Sequence, residues 1–89
     1  MFVYVFRTDD VSAVVHELSS RGWSLTPEKH GSGPEHFSIE LEGALVEIYP
    51  RGGERSCDRC SGQAVQDRPA TICRKCLDEL VGIPSISPT

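Results

Sequence analysis

Residues 36–49, HFSIELEGALVEIY, decide the fold. Two runs of alternating apolar and polar residues flank Glu42 and Gly43, a dipeptide suited to the two-residue turn of a β-hairpin. With the turn at these two residues, six apolar side chains share one face, because residues opposite one another on antiparallel strands point to the same side. They are Phe37, Ile39, Leu41, Ala44, Val46 and Ile48. A slip by one residue would break this agreement, so the sequence predicts the register as well as the hairpin.

The opposite face of this hairpin is polar toward its open end. In the same register it carries three opposed pairs, His36 with Tyr49, Ser38 with Glu47, and Glu40 with Leu45. The sequence therefore predicts an apolar back, against which a helix can pack, and a polar front.

The residues before the hairpin predict a strand, a helix and a second strand. Residues 2–6, FVYVF, are typical of a strand that is apolar on both faces. Asp9 and Asp10 offer an N-cap for a helix whose apolar residues follow at helical spacing, at Val11, Val14, Val15 and Leu18. Gly22 is suited to the end of that helix, and residues 23–26 predict a second strand that stops at Pro27. The order strand, helix, strand, strand, strand indicates an α+β class.

In this order the first part of the chain resembles a single βαβββ module of the vicinal oxygen chelate superfamily, the fold of glyoxalase and of bleomycin resistance proteins. The likeness is carried by residues 28–37, EKHGSGPEHF, leading into residues 45–50, LVEIYP, and it covers residues 1 to about 52. In that superfamily two modules pair, and their sheets form a cup that binds a metal or a small ligand. A chain with one glyoxalase-like module implies a homodimer in which each subunit supplies half of the cup. The exposed face and edge strand of a lone four-stranded module agree with that expectation.

The resemblance also implies residues for the cup. Enzymes of the superfamily place a metal-binding glutamate on the last strand of a module, and the matching position is Glu47. The hairpin register puts Glu47 beside Ser38, with His36 and Tyr49 one pair along, so these four residues are the candidates for a ligand site. A histidine with a carboxylate suits a divalent metal or proton transfer next to a carbonyl, so a second divalent metal at Glu47 is one hypothesis.

The chain departs from the enzyme pattern on its first strand. The superfamily usually begins that strand with a His or Gln ligand, whereas residues 2–6 offer only Tyr4 as a polar side chain. A solvated carboxylate at Glu47 and a His36 that only caps its strand are therefore the structural alternative to a metal site.

Two C-x-x-C motifs, CDRC at residues 57–60 and CRKC at residues 73–76, are separated by twelve residues. This spacing is typical of a zinc site in which two knuckles complete a tetrahedron of Cys57, Cys60, Cys73 and Cys76. Four thiolates leave no open coordination position, so the predicted zinc is structural. A short hairpin within residues 61–72 and a helix from Cys76, ended by Gly82, resemble a treble-clef or zinc-ribbon finger. Two disulfides and redox-active thiols are the alternatives, and the zinc hypothesis predicts that a chelator unfolds residues 57–82.

Composition divides the 89-residue chain into a module at 1–52, a linker at 53–56, the finger at 57–82 and an extended tail at 83–89. The net charge of −4 falls on residues 1–52, and the five basic residues after residue 52 are matched by five acidic ones, so nucleic-acid binding is not expected. No apolar run approaches the roughly 18 residues of a membrane span, and the first residues lack a cationic leader. A cytoplasmic location is predicted.

Three functions remain open at this point. The favoured one is a homodimeric cup that binds a small ligand or a partner protein, because so small a chain is expected to need a metal and a second subunit for stability. The second is a metal-dependent isomerase, lyase or dioxygenase that uses Glu47 and His36. The third is a zinc-finger adaptor subunit of a larger assembly.

Overall fold

One mixed β-sheet organises the chain in the computed structural model, which describes residues 1–29, 31–50, 56–66 and 68–81. The elements are β1 (Phe2–Thr8), α1 (Val11–Ser20), β2 (Thr26–Glu28), β3 (His36–Leu41), β4 (Ala44–Pro50), β5 (Pro69–Thr71) and α2 (Arg74–Val81). The strands lie side by side in the order β2-β3-β4-β1-β5. β1 runs parallel to β4 and β5, whereas β3 is antiparallel to β2 and β4. This architecture agrees with the predicted α+β class.

The predicted hairpin and its register are confirmed. β3 and β4 pair with Ile39 opposite Val46 and Ser38 opposite Glu47, as the alternating pattern requires. Gly43 adopts a positive φ of 80° in the turn, a backbone conformation that glycine reaches without steric cost. The six apolar side chains of the hairpin therefore share the face that contacts α1.

Helix α1 begins and ends at residues that its sequence marks. The Asp10 carboxylate accepts a hydrogen bond from the backbone N–H of Ala13, which caps the first turn. At the other end the N–H groups of Gly22 and Trp23 donate to the carbonyls of Ser19 and Leu18, and Gly22 has a φ of 99°. These two bonds form a Schellman motif, which satisfies carbonyls that would otherwise lack partners.

The second strand differs from its prediction. Residues 23–26 were expected to form it and Pro27 to stop it, but β2 covers Thr26–Glu28 and includes Pro27. Proline is tolerated here because β2 lies at the edge of the sheet, where the missing N–H interrupts no second ladder. Trp23 and Leu25 instead pack against the core. The shift brings Glu28 opposite His36.

The residues after the linker join the same sheet and core. Instead of forming a hairpin within residues 61–72, this part of the described chain contributes β5, which pairs with β1. Leu77 and Val81 of α2 are fully buried and belong to one core cluster with Val14 and Leu18 of α1. The predicted division of the chain stays a prediction. Residues 53–55 of the linker, Gly82 and the tail at 83–89 lie outside the described residues.

Both helices of the described ranges are short. α1 has ten residues and α2 has eight, whereas a membrane-spanning helix needs about 20. Neither helix is long and apolar enough to cross a membrane. The predicted cytoplasmic location is not addressed by this finding and stays a prediction.

Candidate functional site

The four cysteines converge on one point. Cys57 and Cys60 lie in the loop before β5, Cys73 precedes α2, and Cys76 lies in its first turn. The Sγ–Sγ distances are 3.6 Å for Cys57–Cys76, 3.7 Å for Cys60–Cys73 and 3.5 Å for Cys60–Cys76. Four sulfurs at about 2.3 Å from a tetrahedral zinc would be separated by about 3.8 Å, whereas a disulfide needs about 2.05 Å. The sulfurs are thus spaced to hold a metal ion.

Backbone donors stabilise the first sulfur as a thiolate. The N–H groups of Cys60 and Cys73 point at the Sγ of Cys57, at 3.3 and 3.4 Å. Burial acts to raise the pKa of Cys57, but these hydrogen bonds, together with those from the Cys60 and Cys76 side chains, outweigh it and lower the pKa to about 6. Because a metal binds the thiolate and not the thiol, the knuckle backbone prepares one ligand before an ion arrives.

Crowding of the sulfurs has the opposite effect on Cys60. The neighbouring sulfurs of Cys57, Cys76 and Cys73 raise the pKa of Cys60 to about 12. A second thiolate is therefore unfavourable beside the first unless a cation lies between them. This donor set fits a soft, thiolate-preferring metal such as zinc.

The first knuckle is attached to the sheet by Asp58, a residue that the sequence did not single out. The N–H of Asp58 donates to the carbonyl of Thr71 at 2.8 Å, and its carboxylate accepts from the N–H of Thr71 at 3.1 Å. Thr71 is the last residue of β5, and Cys76 is almost completely buried against the core. The metal ligands are therefore positioned by the sheet and by α2 together.

Two arginines next to the cysteines in sequence form ion pairs within the fold. Arg59 lies 2.6 Å from a Glu79 carboxylate oxygen, and the Cys76 sulfur together with Glu79 raises the pKa of Arg59. Arg74 forms ion pairs with Glu17 of α1 at 2.6 Å and with Asp78 at 2.9 Å. Since a zinc ion with four thiolates carries about −2, Arg59 offsets part of that charge. Both arginines thus have partners within the fold.

The predicted cup residues also come together, on the sheet face opposite α1. Ser38 faces Glu47 across β3 and β4, and the ring of His36 stacks on that of Tyr49 with centroids 4.2 Å apart. His36 is 1% exposed and Ser38 is 6% exposed, so these polar side chains are less accessible to solvent than the alternating sequence pattern predicts. The His36 Nε2 lies 3.9 Å from a Glu47 carboxylate oxygen.

Sequence reasoning missed Glu28, which lies closer to His36 than Glu47 does. The His36 Nε2 is 3.3 Å from a Glu28 carboxylate oxygen. The residue was overlooked because the second strand was predicted to stop at Pro27. A strand extended through Pro27 to the next residue would have placed Glu28 opposite His36 and on the polar face.

The first strand contributes Arg7 to the polar face, and not Tyr4. Tyr4 pairs with Val46 and is buried in the core on the opposite face, so it supplies nothing to a cup. Arg7 pairs with Tyr49, and its guanidinium carbon lies 5.5 Å from the centre of the Tyr49 ring. Burial raises the pKa of Tyr49, and the Glu47 carboxylate raises it further. A row of Arg7, Tyr49, His36 and Glu28 therefore crosses four strands.

Comparisons with protein-family models, with curated proteins and with solved structures find no match to this chain. The resemblance to the vicinal oxygen chelate superfamily therefore stays a prediction. The two candidate sites rest on geometry, on donor chemistry and on the charges around them.

Proposed function

We propose that this protein is a small zinc protein in which Cys57, Cys60, Cys73 and Cys76 hold one structural zinc ion. The spacing of the sulfurs carries the proposal, because it matches a tetrahedron of thiolates and is too long for disulfides. With all four positions taken by sulfur, the ion has no place for a substrate. Its role is to connect the loop of residues 57–60, β5 and α2.

The test is the metal content of the purified full chain together with the redox state of its cysteines. We expect one zinc per chain, and a cobalt-substituted protein with the visible absorption of a tetrahedral thiolate site. Cys60→Ser should lower the metal affinity, whereas Ser61→Ala, one residue away, should not. Two disulfides in the mass spectrum without bound metal would overturn the proposal.

The second part of the proposed function is ligand binding on the polar face, in a cup between two subunits. Its support is the polar set of buried His36 and Ser38 with partly buried Glu47 and Tyr49, on the sheet face that α1 leaves uncovered. The element order of residues 1–50 is that of a βαβββ module, the unit in which the glyoxalase-like resemblance implies such a cup. A small polar ligand suits this face, because polar groups hydrogen-bond or ligate it.

A shortage of buried apolar surface in residues 1–52 was the predicted reason for a homodimer, and the fold does not support that reason. Ala70, Ile72, Leu77 and Val81 supply core that residues 1–52 lack by themselves, so a shortage of buried surface no longer requires a partner. Among the described residues the large apolar side chains that are exposed are Met1 and Val65. A homodimer would therefore close over the polar face and not over an apolar patch.

Sedimentation equilibrium tests the homodimer. We expect the mass of two chains at micromolar concentration and dissociation by Glu47→Lys, which reverses a charge on the polar face. Glu42→Lys, the same change in the hairpin turn, should leave the dimer intact. A monomer at every concentration would refute the cup between subunits without affecting the zinc proposal.

The enzyme hypothesis has one observation in its favour. Glu47 and His36 lie together, as that hypothesis requires, and Glu28 joins them. Fold alone does not imply catalysis, and the donor chemistry of this cluster supports the binding of a cation.

A further inference from the structure

Three metal-ligating side chains from three adjacent strands meet on the polar face. Glu28 comes from β2, His36 from β3 and Glu47 from β4. One ligand atom of each lies within 4.8 Å of the others. The His36 ring is buried, and the side chains of Glu47 and Glu28 are 16% and 38% exposed, so the cluster opens to solvent on the Glu28 side.

We infer that Glu28, His36 and Glu47 form a divalent-cation site within a single chain, separate from the cysteines. Ions such as zinc bind imidazole nitrogen and carboxylate oxygen at about 2.0–2.2 Å, which sets neighbouring ligand atoms roughly 3.0–3.5 Å apart. The His36–Glu28 distance of 3.3 Å already fits, and the His36–Glu47 distance of 3.9 Å needs a shift of under about 1 Å. The site uses no residue of β1 or of a second subunit, unlike the cup metal that the resemblance implies.

The surroundings of His36 present the correct nitrogen to an ion. Its Nδ1 lies 3.4 Å from the carbonyl oxygen of Pro34, which can only accept a hydrogen bond. With an ion on Nε2, a neutral imidazole carries its proton on Nδ1, from which it can donate to this carbonyl, and Nε2 faces the two carboxylates. Metal-bound histidines commonly donate their second ring N–H in this way. Stacking on Tyr49 holds the ring in that orientation.

Charge balance gives a second reason for a cation. Two carboxylates approach one histidine at a partly buried position, and a single proton on that ring would offset only one of their charges. Among the described residues no lysine or arginine forms an ion pair with Glu28 or Glu47. A divalent ion neutralises both carboxylates at once.

The donor set also indicates which ions bind and what they leave free. One imidazole and two carboxylates suit Mn²⁺, Fe²⁺ or Zn²⁺, whereas four thiolates select zinc. Three protein ligands leave coordination positions that water or an oxygen atom of a small ligand can fill. An ion at this site, unlike one at the cysteine site, has coordination positions that a small solute can occupy.

Titration with Mn²⁺ of the full chain loaded with one equivalent of zinc, followed by the electron paramagnetic resonance signal of the free ion, tests the inference. We expect one Mn²⁺ per chain beyond the zinc, and at least about tenfold weaker binding in Glu28→Gln and in Glu47→Gln. Glu28→Asp should restore part of the affinity. Glu40→Gln is the matched control, since Glu40 is exposed on the same face of β3, opposite Leu45.

A second readout uses the unaltered protein. Bound Mn²⁺ should broaden the nuclear magnetic resonance signals of His36 and Tyr49 before those of Cys76. Absence of Mn²⁺ uptake while zinc remains at one per chain would overturn the inference, as would equal loss in the Glu40→Gln control. Because zinc content is measured in the same samples, failure of this site is distinguishable from failure of the cysteine site.

Discussion

The indole N–H of Trp23 donates a hydrogen bond to the backbone carbonyl of Val81. Trp23 follows the Schellman end of α1, and Val81 is the last residue of α2, 58 positions later. Arg74 reaches Glu17 of α1 in the same region. The metal-binding residues are thus connected to the sheet by a hydrogen bond, an ion pair and a shared core. Loss of zinc should therefore lower the stability of the whole described fold.

Chelation of zinc should destabilise the entire chain and not residues 57–82 alone. Zinc binding contributes directly to the free energy of folding. Leu77 and Val81 of α2 pack in the core, so loss of zinc should also destabilise the core. Trp23, the sole tryptophan, reports on α1 and the sheet. We expect a lower melting temperature with chelator and coincident transitions by Trp23 fluorescence and circular dichroism. An unchanged fluorescence transition would contradict this coupling.

Leu77→Ala should be strongly destabilising. The side chain is fully buried between α2 and the sheet core, and truncation of such a leucine costs about 2–5 kcal/mol through lost burial and a cavity. Leu80→Ala, three residues along the same helix but only partly buried, should cost less. Urea unfolding of the zinc-loaded variants measures both. Equal free energies of unfolding for the two variants would argue against the described packing of α2.

Zinc should be retained at neutral pH and released in mild acid. Hydrogen bonds from the N–H groups of Cys60 and Cys73 bring the pKa of Cys57 down to about 6, so its thiolate is lost only as the pH falls through that value. Bound zinc competes with the proton, so release should begin below about pH 6.

Arg59→Gln should shift zinc release to higher pH, because Arg59 lies beside the Cys76 sulfur and offsets negative charge at the proposed zinc site. Glu40→Gln is the control, because it removes a charge from β3 and not from the residues around the cysteines. A zinc-sensitive dye followed across a pH titration measures release in each protein. Release already above pH 7 in the unaltered protein would contradict the role given to the hydrogen bonds that lower the pKa of Cys57. Equal release pH in the unaltered protein and in Arg59→Gln would contradict the role of Arg59.

Gly43→Ala should weaken the hairpin by roughly 1–2 kcal/mol. Its φ of 80° is unfavourable for a residue with a Cβ, although a Cβ there would meet no atom within 4 Å. The cost is therefore backbone strain and not a clash. Gly43→Asn should cost less, since asparagine tolerates this conformation better. Thermal unfolding of both variants checks the order, and an alanine variant as stable as asparagine would contradict it.

Local patterns in the sequence were sufficient for the hairpin, for α1 and for the metal-ligating cysteines. The register of β3 and β4 follows from alternation around Gly43, because only one pairing keeps every apolar side chain on one face. The cysteine cluster follows from knuckle spacing, since two residues between cysteines bring their sulfurs together in one turn. Each of these features depends on residues that are close in sequence.

Long-range contacts decided the rest. Nothing in the short run at Pro69–Thr71 indicates that it pairs with β1, and α2 buries Leu77 and Val81 against residues from the first half of the chain. Glu28 joined His36 because an edge strand tolerates Pro27. The sequence by itself thus determined the cysteine cluster of the proposed zinc site and one face of the hairpin. Tertiary structure decided that the cysteine segment and the hairpin share one core, because burial of apolar surface is favourable whatever the separation of the residues along the chain.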